Sequence, residues 1–214
     1  MIMKRKYINN GCILIIIFAL SISGCGYSQT QPEKKEIEVE NSSGSNEKKE
    51  EDIIKVKLPQ KFINLSGKGV EGLIENIKEG EDDYIDVYEN EDGTVTVEIT
   101  EQQQQEYWLP SRGELLEDLQ EQFKEYDENY RLEHNDSYTQ VDAYYNLNLP
   151  WDKAGVFVIY AEFLCASYQL FSGVDSDSWR VEINIYNSDT GKLVKSGSSD
   201  ADFGYENSDW EASK

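Results

Sequence analysis

Between Ala154 and Phe171 the chain runs for eighteen residues in which the only ionisable side chain apart from Tyr and Cys is Glu162. Asp152 precedes the run as an N-cap and Gly173 follows it as a stop, so the segment reads as one helix over about 153–171. A helix that is apolar nearly all round belongs in a bilayer or in a protein core. Twenty helical residues span ~30 Å, enough to cross a membrane. Glu162 would then lie near the midplane at a cost of several kcal/mol, with Ser167 and Gln169 adding to it. The run therefore predicts a central helix buried against a sheet.

The elements around it supply that sheet. Ile53–Leu58 alternates and ends at Pro59, as a strand does. Val70, Leu73, Ile74 and Ile77 fall at helical spacing, with Gly80 as the stop. Tyr84 to Thr100 is a hairpin whose register follows from its faces. A two-residue Asp92-Gly93 loop sets Val87 against Glu98, whereas a three-residue Glu91-Asp92-Gly93 loop sets Val87 against Val97 and Ile85 against Ile99. The second keeps one apolar face and predicts Gly93 in the left-handed conformation. Capping boxes at Thr100/Gln103 and Ser111/Glu114, divided by Pro110, predict a short helix to about Trp108 and a longer one from Arg112 to about Tyr126. Thr139 to Leu149 and Trp179 to Tyr186 alternate as strands, and a turn at 187–191 leads to a partner strand around Lys192 to Ser196. The order predicts an α+β, two-layer single domain, with a mainly antiparallel sheet packed on helices. Its bounds are 53–205, followed by a polar, frayed tail at 206–214.

The first 52 residues are of another kind. A basic stretch (Met1 to Asn10), an apolar run (Cys12 to Leu20) and small residues to Gly24 have the three-part form of a secretory signal peptide, 1–24. Ile22-Ser23-Gly24-Cys25 resembles the lipobox of bacterial lipoproteins, which implies a diacylglyceryl group on Cys25 and an anchor on the extracytoplasmic face of the cell membrane. Two acyl chains give lasting attachment where one does not. Residues 26–52, with eight acids, four lysines and only Tyr27, Ile37 and Val39 as sizeable apolar residues, read as a disordered acidic tether.

Charge and motifs exclude much. The net charge is −22, of which the folded segment 53–214 carries −21, so counterion release from a nucleic acid is not available to this chain. Three cysteines, Cys12, Cys25 and Cys165, make no disulfide scaffold. Gly67-Lys-Gly-Val-Glu-Gly72 matches G-x-G-x-x-G, but no alternating βα units surround it and it is read as a loop and helix start. The lone His134 sits in a polar loop, without a reactive cysteine or metal-ligand spacing beside it. The EF-hand register fails at Tyr88 and Ile99, and the clusters Glu79/Glu81/Asp82/Asp83 and Asp175/Asp177 read as solvated loops that at most hold a cation weakly. No cofactor motif or catalytic set remains. Glu162 is the one acid expected to have a raised pKa or a specific partner, and so a candidate functional residue.

The segments Asp92-Gly-Thr-Val-Thr-Val97, Tyr168-Gln-Leu-Phe-Ser-Gly-Val-Asp175 and Asp189-Thr-Gly-Lys-Leu193 are similar to uncharacterised lipoproteins of low-GC Gram-positive bacteria, over most of 84–196. The resemblance implies a location and no activity. Two functions are expected: a non-enzymatic acidic module that binds a cation or a basic envelope protein, or an envelope inhibitor or immunity lipoprotein that blocks a secreted basic partner. The inhibitor would need exposed aromatic anchors, with Trp108, Trp151 and Trp179 as candidates.

Overall fold

The structure, a computed structural model, describes residues 52–80, 83–201 and 203–214. Among them the strands form two sheets rather than one, and the helices pack against both, giving an α+β domain. The first sheet has the order β1-β3-β2, with β1 (Ile53–Leu58), β2 (Asp86–Glu89) and β3 (Val95–Thr100) all antiparallel. Val87 faces Val97, and Gly93 has φ +76°, so the hairpin has the three-residue register. The Asn90 N–H donates to Thr94 O at 2.8 Å and the Gly93 N–H to Asn90 O at 2.9 Å. The expected Ile85–Ile99 pair does not close the face: Ile85 lies just outside the edge strand β2, donates its N–H to Glu98 O and leaves its side chain exposed.

Two helices follow β1, where one was expected. Helix α1 (Gln60–Ser66) begins directly after Pro59, which brings a helix-ready φ of −76° and buries Phe62 and Ile63. Gly67, at φ +71°, ends α1, and Gly69, at φ +70°, opens α2 (Gly69–Lys78). The glycines therefore serve a helix-to-helix corner, since residues with a Cβ avoid the left-handed region. The strand-to-helix setting that a dinucleotide fingerprint needs is absent here.

The capping box at Thr100 forms, with Oγ1 accepting from the Gln103 N–H at 3.0 Å and Gln103 Oε1 accepting from the Thr100 N–H at 2.8 Å. The break at Pro110 does not. Helix α3 (Glu101–Gln103) passes through a π turn (Gln104–Trp108) straight into α4 (Leu109–Lys124). Proline lacks an N–H and crowds the carbonyl four residues back. A wide turn just before it relieves that conflict, and π bulges take this role in other helices. Ser111 is accordingly inside the helix, its Oγ bonded to Trp108 O at 3.3 Å, and caps nothing.

The second sheet has the order β4-β5-β6-β7. It includes a strand that the alternation analysis missed, β4 (Arg131–His134), then β5 (Gln140–Tyr145), β6 (Glu182–Asn187) and β7 (Leu193–Ser198). β5 and β6 are parallel, because the long helix α5 (Trp151–Phe171) crosses over between them. Val141, Ala143, Ile183 and Ile185 are buried on one face of this pair. Strand β5 stops at Tyr145 instead of reaching Leu149; Asn146 turns out of the ladder and Leu147 is 58% exposed. Asp152 lies within the first turn of α5, and Pro150 takes the N-cap position.

The tail is ordered, not frayed. Phe203 lies over Gly197 so closely that a Cβ there would meet its ring at 2.1 Å. Helix α6 (Asn207–Ala212) then places Trp210, 2% exposed, against Tyr145 at 5.4 Å between ring centroids. The domain thus extends through residue 214 rather than ending near 205, because Trp210 supplies a core side chain that a count of polar residues hides.

Candidate functional site

Cys25 and the lipobox expected at residues 22–25 lie outside the described residues. Glu162 is 1% exposed in the middle of α5, one turn before Cys165. Burial, with the Glu162 charge adding to it, pushes the Cys165 thiol up to about 12. A thiol kept protonated is a packing group and not a nucleophile. His134 is the last residue of β4 rather than part of a loop; its ring is exposed and stacks on Tyr138 at 4.7 Å, which in turn stacks on Tyr168 at 3.6 Å. Asp175 caps its own turn by accepting the Asp177 N–H at 2.9 Å. Glu81 and Asp82 lie outside the described residues, and among those described no group of three or more His, Cys, Asp and Glu side chains could hold a metal ion. These candidates are scattered, and the fold does not bring them together.

Tryptophans divide the molecule more clearly. At the C-terminal end of α5, Trp108 is 5% exposed and stacks on Phe171 with 3.9 Å between centroids and 4° between planes. Its indole N–H donates to Asp83 O at 2.6 Å, and Gln104 Nε2 donates to Phe171 O at 2.6 Å. Arg112 lies 4.5 Å above the Trp108 ring and donates to Ser167 Oγ at 3.0 Å and to Ser111 Oγ at 2.7 Å. Among the described residues it has no ion pair, and burial draws its guanidinium down to about 10. Trp179, 3% exposed, is covered by Phe62 and by Lys61, whose Nζ sits 4.0 Å from its ring. Neither Trp108 nor Trp179 can anchor a partner.

The N-terminal end of α5 is open. Trp151, the first residue of α5, is 52% exposed, and Leu147, in the loop four residues earlier, is 58% exposed. Tyr126, also exposed, meets Phe157 of α5 edge-on at 5.8 Å. Asp152 and Lys153 in the first turn of α5 are exposed, as is Asp189. Beside Leu147 lies a cavity of about 320 Å³, lined by Asn146, Asn187, Asp189, Thr190, Trp210 and Lys214 as well. It sits where the parallel strands β5 and β6 finish, the position at which open α/β sheets bind ligands. Its walls are tied together by side chains. Tyr130 donates its hydroxyl to Asn146 Oδ1 at 2.7 Å, and Asn146 Nδ2 donates to Asp189 Oδ1 at 2.9 Å. Asn187 Nδ2 donates to Ser213 Oγ at 3.1 Å, and Thr190 Oγ1 donates to Ser213 O at 2.6 Å.

Sequence reasoning named Trp151 from this end and missed the cavity. A partial signal existed: a Tyr-Asn pair stands at the end of each strand, Tyr145-Asn146 and Tyr186-Asn187. The parallel pairing sets Asn187 against Tyr145, with Asn146 the next residue on, and such a long-range event does not show in local periodicity. Comparisons with protein families, with curated proteins and with solved structures find no match to this chain.

Proposed function

We propose that the protein is an extracytoplasmic lipoprotein, held to the cell membrane by a diacylglyceryl group on Cys25, whose folded domain is a non-enzymatic acidic interaction module. A basic envelope protein docks on the open end of α5, around Trp151 and Leu147. The observation that carries this reading is the exposure of those two apolar side chains, with Tyr126, at one end of a domain that buries its other three tryptophans, where Asp152, Asp189 and Lys153 are exposed as well. Aromatic anchors ringed by polar groups are where interface energy concentrates, and opposite charge speeds encounter. The domain charge of −21 selects basic partners. An exposed Trp151 also serves the second reading, an inhibitor or immunity lipoprotein; the two differ only in whether docking abolishes an activity of the partner.

The test has two arms. In cells, Cys25→Ala should move the protein from the membrane to the soluble extracytoplasmic fraction and abolish incorporation of labelled fatty acid; unchanged membrane retention removes the anchor. With the immobilised full chain, basic envelope proteins should be retained at low salt and released as salt rises, and Trp151→Ala should lose them. Retention unaffected by Trp151→Ala overturns the docking site.

A further inference from the structure

Gly155 lies in the body of α5, where glycine is a poorer helix former than alanine. It is not one of the glycines with positive φ, and a Cβ built on it meets nothing within 4 Å among the described residues. Neither backbone freedom nor crowding inside the domain therefore calls for the missing side chain. The remaining use of a glycine is to let another backbone come close from outside.

Its neighbours on the helix surface make that approach specific. Trp151, Gly155, Ile159 and Phe163 follow one another at four-residue spacing and share one side of α5. Phe163 is half-buried beneath α1, whose Phe62 stacks on it with 4.8 Å between centroids. Trp151 and Ile159 are exposed, and Gly155 leaves a dip between them. The row thus ends under a short helix of the chain itself and begins bare, so its covered half shows that this surface accepts a helix. The bare half runs ~12 Å, about two helical turns. A groove of this kind is filled by the side-chain ridge of a second helix crossing it.

Charge selects which helix. The folded segment carries −21, and the exposed Asp152, three residues before Gly155, borders the row. Lys153 stands four residues before Phe157, on the side of α5 that packs against Phe123 of α4, and so faces away from the row. A second copy of this chain would bring another −21 against the first. A helix with an apolar stripe and basic flanks suits both the groove and the field around it.

We infer that the groove at Gly155 receives an amphipathic α-helix of the basic partner, its apolar ridge seated between Trp151 and Ile159. This occupant rests on the docking reading and adds to it the form of the bound segment and two further residues, Gly155 and Ile159.

The probe is a labelled synthetic peptide of two Leu-Lys-Lys-Leu-Leu-Lys-Leu repeats, whose leucines gather on one face of a helix. Its control carries D-leucine at every leucine, which keeps the charge and composition and removes the helix. Binding to the full chain at physiological salt is read by fluorescence anisotropy. The helical peptide should bind at least about tenfold tighter than the control. Gly155→Leu, which fills the groove with a better helix former, should weaken that binding about tenfold while the urea midpoint stays equal or rises. No binding of the helical peptide, or equal affinity of the two peptides, overturns the helical groove. So does a peptide that Trp151→Ala releases and Gly155→Leu does not, an outcome that leaves the docking reading in place. A peptide released by neither variant overturns the docking reading with it. Sedimentation of the peptide-free protein as a dimer that Gly155→Leu dissolves makes a second copy the occupant and overturns the inference.

Discussion

The two ends of α5 carry similar side chains and treat them oppositely. At the C-terminal end Trp108 is stacked, its N–H is bonded, and a cation with two serine hydroxyls seals the cluster. At the N-terminal end Trp151 and Leu147 face solvent, while Trp210 is buried beside a cavity, its N–H without a partner among the described residues. An end that stacks and hydrogen-bonds its tryptophan internally has spent that side chain on stability. The other leaves its tryptophan on the surface, and the proposed docking site rests on that contrast.

Mutations at the closed end should therefore cost stability and leave binding alone, with the reverse at the open end. The largest loss is expected from Trp108→Ala, about 3–5 kcal/mol by urea denaturation, since it empties the stack on Phe171; a loss below ~1 kcal/mol would break the comparison. Next comes Cys165, midway along the helix. Its folded pKa of about 12 lies above the ordinary thiol value near 9, so folding favours the protonated form. The stability it confers is complete below pH 9 and declines as pH rises toward 12, by up to about 1.4 kcal/mol per pH unit. Cys165→Ala should flatten that part of the stability profile relative to the parent protein, and identical slopes would contradict the burial. Thr100→Ala, which removes the cap of the helical run leading to Trp108, should cost about 1 kcal/mol in the same assay. The smallest effect on stability, within about 0.5 kcal/mol, belongs to Trp151→Ala, yet its retention of basic partners should fall more than about tenfold.

What could be read from sequence followed the range of the interactions. The hairpin register at Val87/Val97, the Thr100 cap, the buried run of α5 and the turn at Gly93 are local, and periodicity or arithmetic on neighbouring residues reaches them. The π turn before Pro110 was misread because a proline is a helix breaker only where no wider turn makes room for it. Strand β4 is four residues long with one buried side chain, Leu132, too few for alternation to show. The cavity was invisible for a different reason: Asn146, Asn187 and Trp210 meet only after β5 and β6 pair in parallel and the C-terminal segment folds back. Trp151 could be named as an anchor, but so could Trp108 and Trp179, and only packing separates the exposed one from the two that are buried.

Site-specific photo-crosslinking in cells tests most directly whether the open end is the binding end. A crosslinking residue placed at Leu147 or Trp151 is compared with one at Val174, an exposed apolar position just beyond the closed end. The account predicts a discrete adduct with a basic envelope protein from 147 and 151 and none from 174. Adducts from 174 alone, equal adducts from all three positions, or none from any would contradict it.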